Sequence, residues 1–127
     1  MSNHSAYRTF VDRLSKTKDS AREKSTKKRK SLGLRTAREN LDDLVDPGSF
    51  LEFGAFAVAA QRNRRDYEEL QLETSADGIL TGFCNINEDE VGEDNSHAAA
   101  IIYDYSVLAG SQGFFHHQKL DLSLIHI

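Results

Sequence analysis

The chain has 127 residues, 39% of them hydrophobic and 28% charged, with a formal net charge of −4. That length suits one domain of ordinary size, and no segment approaches the ~20 consecutive apolar residues that span a bilayer. The single cysteine, Cys84, excludes an internal disulfide and a cysteine-cluster metal site, and makes a reduced, cytoplasmic setting the default.

The mild total hides a split. Residues 1–38 carry twelve Lys or Arg against three Asp or Glu (net +9), and residues 39–127 carry four against seventeen (net −13), which together give −4. The basic end therefore reads as an element of its own, able to lie on an acidic surface of the same protein, on a partner or on a polyanion. Met1–Ser5 holds no apolar run, so no secretory signal is expected. Tyr7, Phe10, Val11 and Leu14 recur at helical spacing and predict a helix from residue 6 to about 30. Past Leu14 it is polar on every face and ends in Lys27-Lys28-Arg29-Lys30, so it is solvated or lies across another surface. Those cations read as a solvated face, with contact to phosphates as the alternative.

Thr36-Ala37-Arg38-Glu39 is a capping box: Thr36 accepts from the residue 39 amide and Glu39 reaches back. The short helix after it places Leu41, Leu44 and Val45 on one face, and Asp46-Pro47-Gly48-Ser49 ends it. Residues 50–56 alternate well enough to form a strand, and the charged run from Arg62 to Gln71 reads as a loop or surface helix. Asp77-Gly78 opens a strand over 79–86. His97 to Leu108 is the longest apolar strand, and the acidic turn between the two makes them an antiparallel hairpin. That turn, Glu88 to Asp94, is acidic enough for calcium but lacks the ligand spacing, so it reads as a solvated turn. Cys84 reads as a small core residue.

The most informative stretch is Tyr103 to Gly113. An apolar strand runs into small residues and then a helical run, Phe114 to Leu120. Without bulky side chains there, backbone comes close to a bound group, and amides at the helix start face an anion or a polarised oxygen. Asp104, among apolar residues, reads as a satisfied or edge-facing carboxylate. His116 and His117 point about 100° apart on a helix, which argues against a shared metal.

In this order the motifs resemble a known family. Thr36 to Leu41, followed by Leu44-Val45-Asp46-Pro47-Gly48-Ser49-Phe50-Leu51-Glu52, looks like the opening of the carboxyltransferase component of biotin-dependent acyl-CoA carboxylases, with its T-A-R-E-R-I and L-x-D-P-G-S-F-x-E patterns. Asp77 to Gly82 resembles its D-G-V-V-T-G strand, and Tyr103 to Gly113 its D-F-T-V-x-G-G-S-x-G segment. His117 and Lys119 fall near its H-x-x-K pair. The resemblance covers roughly residues 30–121. Ala109 stands where the family has its first glycine, a variant similar to regions acting on longer or less common acyl-CoAs. Residues 122–127 do not resemble the family's continuation.

The resemblance implies an α/β fold: a truncated crotonase-like unit of the ββα spiral over residues 36–121, preceded by a basic helical extension over 1–35 and followed by a non-native tail over 122–127. It implies an enzyme that, at full length, transfers a carboxyl group from carboxybiotin to an acyl-CoA through an enolate. Backbone N–H groups stabilise such charge, and losing one donor costs about 10²–10³ in rate. In the family the glycine pairs that do so lie mainly downstream, so the fragment alone is expected to be inactive and no catalytic residue or metal ligand is assigned. Ala109, Gly110 and Ser111 are the candidates for close approach to CoA. Implied partners are acyl-CoA, a biotin carboxyl carrier protein, biotin carboxylase and further copies of the full-length chain, with no membrane and no nucleic acid. Two alternatives stand: a decarboxylase of the same family, and a non-enzymatic module whose basic arm binds nucleic acid or protein.

Overall fold

The computed structural model describes residues 3–127; Met1 and Ser2, where the predicted extension begins, lie outside the described residues. The architecture is mixed helix and sheet. Its first departure from expectation is in the basic segment, where one continuous helix is replaced by α1 (Asn3–Ser15), a 3-10 turn (Asp19–Ala21) and α2 (Glu23–Ser31). The break exists because Thr17 and Arg22 are buried. Thr17 O accepts from Arg38 Nε at 2.9 Å, and Thr36 Oγ1 donates to Asp19 Oδ2 at 2.5 Å. The basic end is thus bonded into the body rather than set apart from it.

Helix α3 (Ala37–Leu44) makes one half of the expected capping box, with Thr36 Oγ1 accepting from Glu39 N at 3.1 Å, while the return bond from the Glu39 side chain is not formed. Leu41 and Val45 are buried, whereas Leu44 is exposed. After the Asp46–Ser49 turn, strand β1 is only Leu51–Phe53, shorter than the alternation predicts. Asp46 also acts at long range, since its carboxylate accepts from the amides of Asn87 (2.8 Å) and Glu88 (2.9 Å) and so fixes the far end of the hairpin. Helix α4 (Tyr67–Glu73) falls in the charged run but buries Leu70 completely, against Val58 and Ala59.

Strands β2 (Ile79–Asn85) and β3 (His97–Tyr103) form the expected antiparallel hairpin, with Ile79 opposite Tyr103 and Asn85 opposite His97. β1 pairs antiparallel on the other side of β2, giving the order β1-β2-β3. The acidic turn is two short helices, α5 (Glu88–Val91) and α6 (Glu93–Ser96), joined at Gly92. β3 ends five residues earlier than its apolar content predicts, because Asp104 begins a side-chain-stabilised turn.

The alternation of β2 divides the core. Leu80 and Cys84 pack with Ala100 against Leu41 of α3 and Val45 just past its end, and Cys84 is the small core residue expected. The opposite face lies under α7 (Phe114–Ile125). Unusually, α7 turns a polar stripe inward: His116, Lys119 and Ser123 are buried while Phe114, Leu122, Leu124 and Ile125 are exposed. The apolar stripe of α1, Tyr7, Phe10, Val11 and Leu14, is exposed as well. Contiguous exposed apolar surface of this kind marks faces that other surfaces can cover.

Candidate functional site

The turn after β3 is built around Asp104. Its backbone N–H donates to Gly78 O at 2.8 Å, tying it to the start of β2. Its Oδ1 accepts from Ser106 N (2.9 Å) and Ser106 Oγ (2.6 Å), and its Oδ2 accepts from Arg22 Nη1 (3.0 Å). It is a satisfied buried carboxylate, as its surroundings predict. Val107 is buried beneath the turn, and Leu108, Ala109 and Gly110 follow with φ of +47°, +56° and +77°. Left-handed backbone at two non-glycine residues costs about 1–2 kcal/mol each. Glycine suits position 110 by its φ, and an added Cβ there would make a tight contact, 3.1 Å, with the Tyr105 ring.

Of the three residues singled out from the sequence, Ala109 and Ser111 are exposed and Gly110 is partly buried. The amides of Gly110 and Ser111 donate within the turn, to Val107 O (3.0 Å) and Leu108 O (3.2 Å). Both donors are thus spent inside the turn. The expectation that the start of α7 faces a bound anion is corrected as well. That position is filled from within by the buried Asp77 carboxylate, whose Oδ2 accepts from His116 N at 2.9 Å. Gly113 permits this: an added Cβ would lie 2.6 Å from Asp77 Oδ1.

The H-x-x-K pair is also re-registered. His116 and Lys119, not His117, are the buried couple, one turn apart. His116 Nδ1 faces Asp77 O at 3.1 Å. A carbonyl only accepts, so Nδ1 carries the proton and the buried Nε2 is the bare nitrogen. Burial lowers the His116 pKa. Lys119 Nζ donates to Ala76 O (2.8 Å) and to Ile79 O, and burial pushes its pKa down to about 8 despite the opposing pull of Glu52 and Asp77. The pair staples α7 to the left-handed bend at Ala76 and Asp77. The motif signalled it; the register was missed because adjacent histidines offer two choices.

Beside the turn lies a cleft of about 580 Å³ between α2 and the 105–109 segment. Lys24, Lys28 and Arg29 line one wall, and Tyr105, Leu108 and Ala109 the other. The Arg29 guanidinium lies 5.8 Å from the Tyr105 ring centroid. Arg65 at the base is ion-paired to Glu69 (2.8 Å) and to Glu73. The size is that of a small-molecule site, and the lining joins cations to apolar surface. A larger groove of about 850 Å³ between α1 and β1 holds the Arg38–Glu52 pair, whose bidentate bonds of 2.8 and 3.1 Å leave the charges neutralising each other. Among the described residues no group of three or more His, Cys, Asp or Glu side chains is placed to hold a metal, and no helix is long and apolar enough to cross a membrane.

No protein-family profile matches the chain. Among known structures, a single-chain, multi-domain long-chain acyl-CoA carboxylase superposes with a TM-score of 0.91 at 45% identity, covering 95% of this chain and 12% of that one. A biotin-dependent long chain acyl-coenzyme A carboxylase beta4 subunit of Mycobacterium tuberculosis is 34% identical over 102 residues, which is 80% of this chain and 17% of the relative. The chain is homologous to the carboxyltransferase component of biotin-dependent acyl-CoA carboxylases. A methylmalonyl-CoA decarboxylase subunit alpha of Veillonella parvula is 30% identical over 109 residues, 86% of this chain and 19% of the relative. The chain thus spans less than a fifth of the length of these two curated relatives.

Proposed function

We propose that this chain forms the opening portion of a carboxyltransferase that moves a carboxyl group from carboxybiotin to an acyl-CoA. In that reading residues 36–121 carry a crotonase-like ββα unit, and the basic helical segment over 1–35 forms one wall of the substrate cleft. Ala109, Gly110 and Ser111 are the proposed points of closest contact with CoA. The observation that carries the reading is the juxtaposition of that small-residue turn with the cationic face of α2 across one cleft. CoA has both chemistries: anionic phosphates for the lysines and a slender apolar pantetheine arm for the turn. Biotin, carried on a carrier domain, would supply the carboxyl group; this chain's residues bind and orient the thioester partner.

Biotin carboxyl carrier protein, biotin carboxylase and further copies of the chain are the partners of the same reading, in a cytoplasmic setting. The exposed apolar faces of α1 and α7 support burial against such surfaces. The decarboxylase direction is the second reading. Similarity to the Veillonella parvula decarboxylase subunit favours it, and both directions share one enolate. A domain graft tests the proposal. Residues 1–121 replace the aligned stretch of a full-length acyl-CoA carboxyltransferase, and transfer of radiolabelled carboxyl to acyl-CoA is followed. Retained transfer that Ala109→Arg then abolishes supports it; a folded graft indifferent to Ala109→Arg contradicts it.

A further inference from the structure

Arg22 bonds directly to the segment that leads into the proposed contact turn, and it does so with most of its hydrogen-bonding capacity. Its Nη1 donates to Asp104 Oδ2 (3.0 Å), its Nη2 to Ser106 Oγ (3.2 Å) and its Nε to Leu72 O (2.8 Å). Both partners of the ion pair are buried, with side-chain exposures of 5% and 9%. The path onward is continuous. The other oxygen of Asp104 holds the Ser106 amide and hydroxyl, Asp104 O accepts from Val107 N (3.1 Å), and Val107 O accepts from Gly110 N (3.0 Å). Every link is a hydrogen bond between residues at most three apart, save the first, which spans 82 positions of sequence.

We propose that Arg22 is a positioning residue for the Ala109–Ser111 turn. Its guanidinium fixes the Asp104 carboxylate, and that carboxylate sets the strained left-handed path of Leu108, Ala109 and Gly110. The strain makes an external clamp necessary, because two non-glycine residues at positive φ persist only where surrounding structure over-determines them. The same guanidinium sits at the head of α2, so the lysine-bearing wall of the cleft and the small-residue wall are registered by one group. Lysine cannot replace it: a point charge has no fork to hold Asp104, Ser106 and Leu72 together. The positioning role rests on the acyl-CoA reading only for its purpose, not for its geometry.

Amide hydrogen exchange on the 127-residue chain separates the two. Arg22→Met should speed exchange of the Gly110 and Ser111 amides by about tenfold or more while the Gly82 and Phe83 amides on β2 keep their rates, since a charge-assisted bond of this kind is worth at least that factor. Arg22→Lys should recover little of the protection. If Arg22→Met does not fold, Asp104→Asn and Ser106→Ala give the same local pattern at smaller amplitude. Exchange that rises in parallel across β2 and the turn, or does not rise at the turn, overturns the proposal and marks Arg22 as a general fold contact. A parallel titration of the unmutated chain with coenzyme A addresses the ligand reading alone: no response at the turn sinks that reading, and the exchange pattern still decides the clamp.

Discussion

Replacing Lys119 by Met removes a buried ammonium whose titration is coupled to folding. In the folded chain its pKa lies at about 8 against an ordinary 10.5, because burial disfavours the charge. Between those two values the unfolded chain holds a proton that the folded chain has released, so stability rises as pH climbs from about 8 toward 10.5. The full difference is worth roughly 3 kcal/mol, an order-of-magnitude figure. The amine keeps its donors to Ala76 O and Ile79 O in either protonation state, so the bonds to the bend need not break as it titrates. Urea unfolding followed by far-ultraviolet circular dichroism, at several pH values across this window, gives the test. With a slope of about 1–3 kcal/mol per molar urea, the unmutated chain should gain roughly 1–3 M in midpoint that Lys119→Met does not. Parallel pH dependences for the two chains would refute the reasoning, because they would mean that Lys119 titrates alike folded and unfolded.

Gly113→Ala places a methyl group 2.6 Å from Asp77 Oδ1 and should cost about 1–3 kcal/mol, read from the same urea curves; a neutral effect would show that Asp77 does not cap α7 so closely. Ala109→Gly relieves a φ of +56° and should be neutral or stabilising by up to ~1 kcal/mol in thermal unfolding, whereas a clear loss would mean that the turn is not left-handed there. His116 has its pKa lowered from 6.5 by burial, so the unfolded chain binds the extra proton first and stability falls as pH drops below 6.5. In His116→Asn that acid-side slope should flatten, and a slope unchanged from the unmutated chain contradicts the buried neutral imidazole.

Local signals were readable from the sequence and distant ones were not. The Thr36 cap, the turn at Pro47 and the β2–β3 hairpin each depend on residues close in sequence, and each is where the motifs place it. The length of β3 was misread because Asp104, Ser106 and Val107 continue a plausible strand pattern, while the bond that ends the strand is made by a side chain to its own turn. The kink at Thr17 and Arg22 has no local signature. It answers to Asp104, 82 positions away, and to Arg38, 21 positions away. The filled start of α7 was hidden for the same reason: Asp77 arrives there from 39 positions upstream. What the motif order did convey was the family and the turn bearing Ala109, because small residues at a strand end report a steric requirement that does not depend on who the neighbours are.

The proposed acyl-CoA cleft is tested most directly by adding coenzyme A to the isotope-labelled chain and following backbone amide resonances. The account predicts saturable shifts that cluster at Leu108 to Ser111 and at Lys24, Lys28 and Arg29, weakening as salt screens the phosphates. Shifts confined to the groove beside Phe10 and Phe56, or none at millimolar-scale ligand, would contradict it.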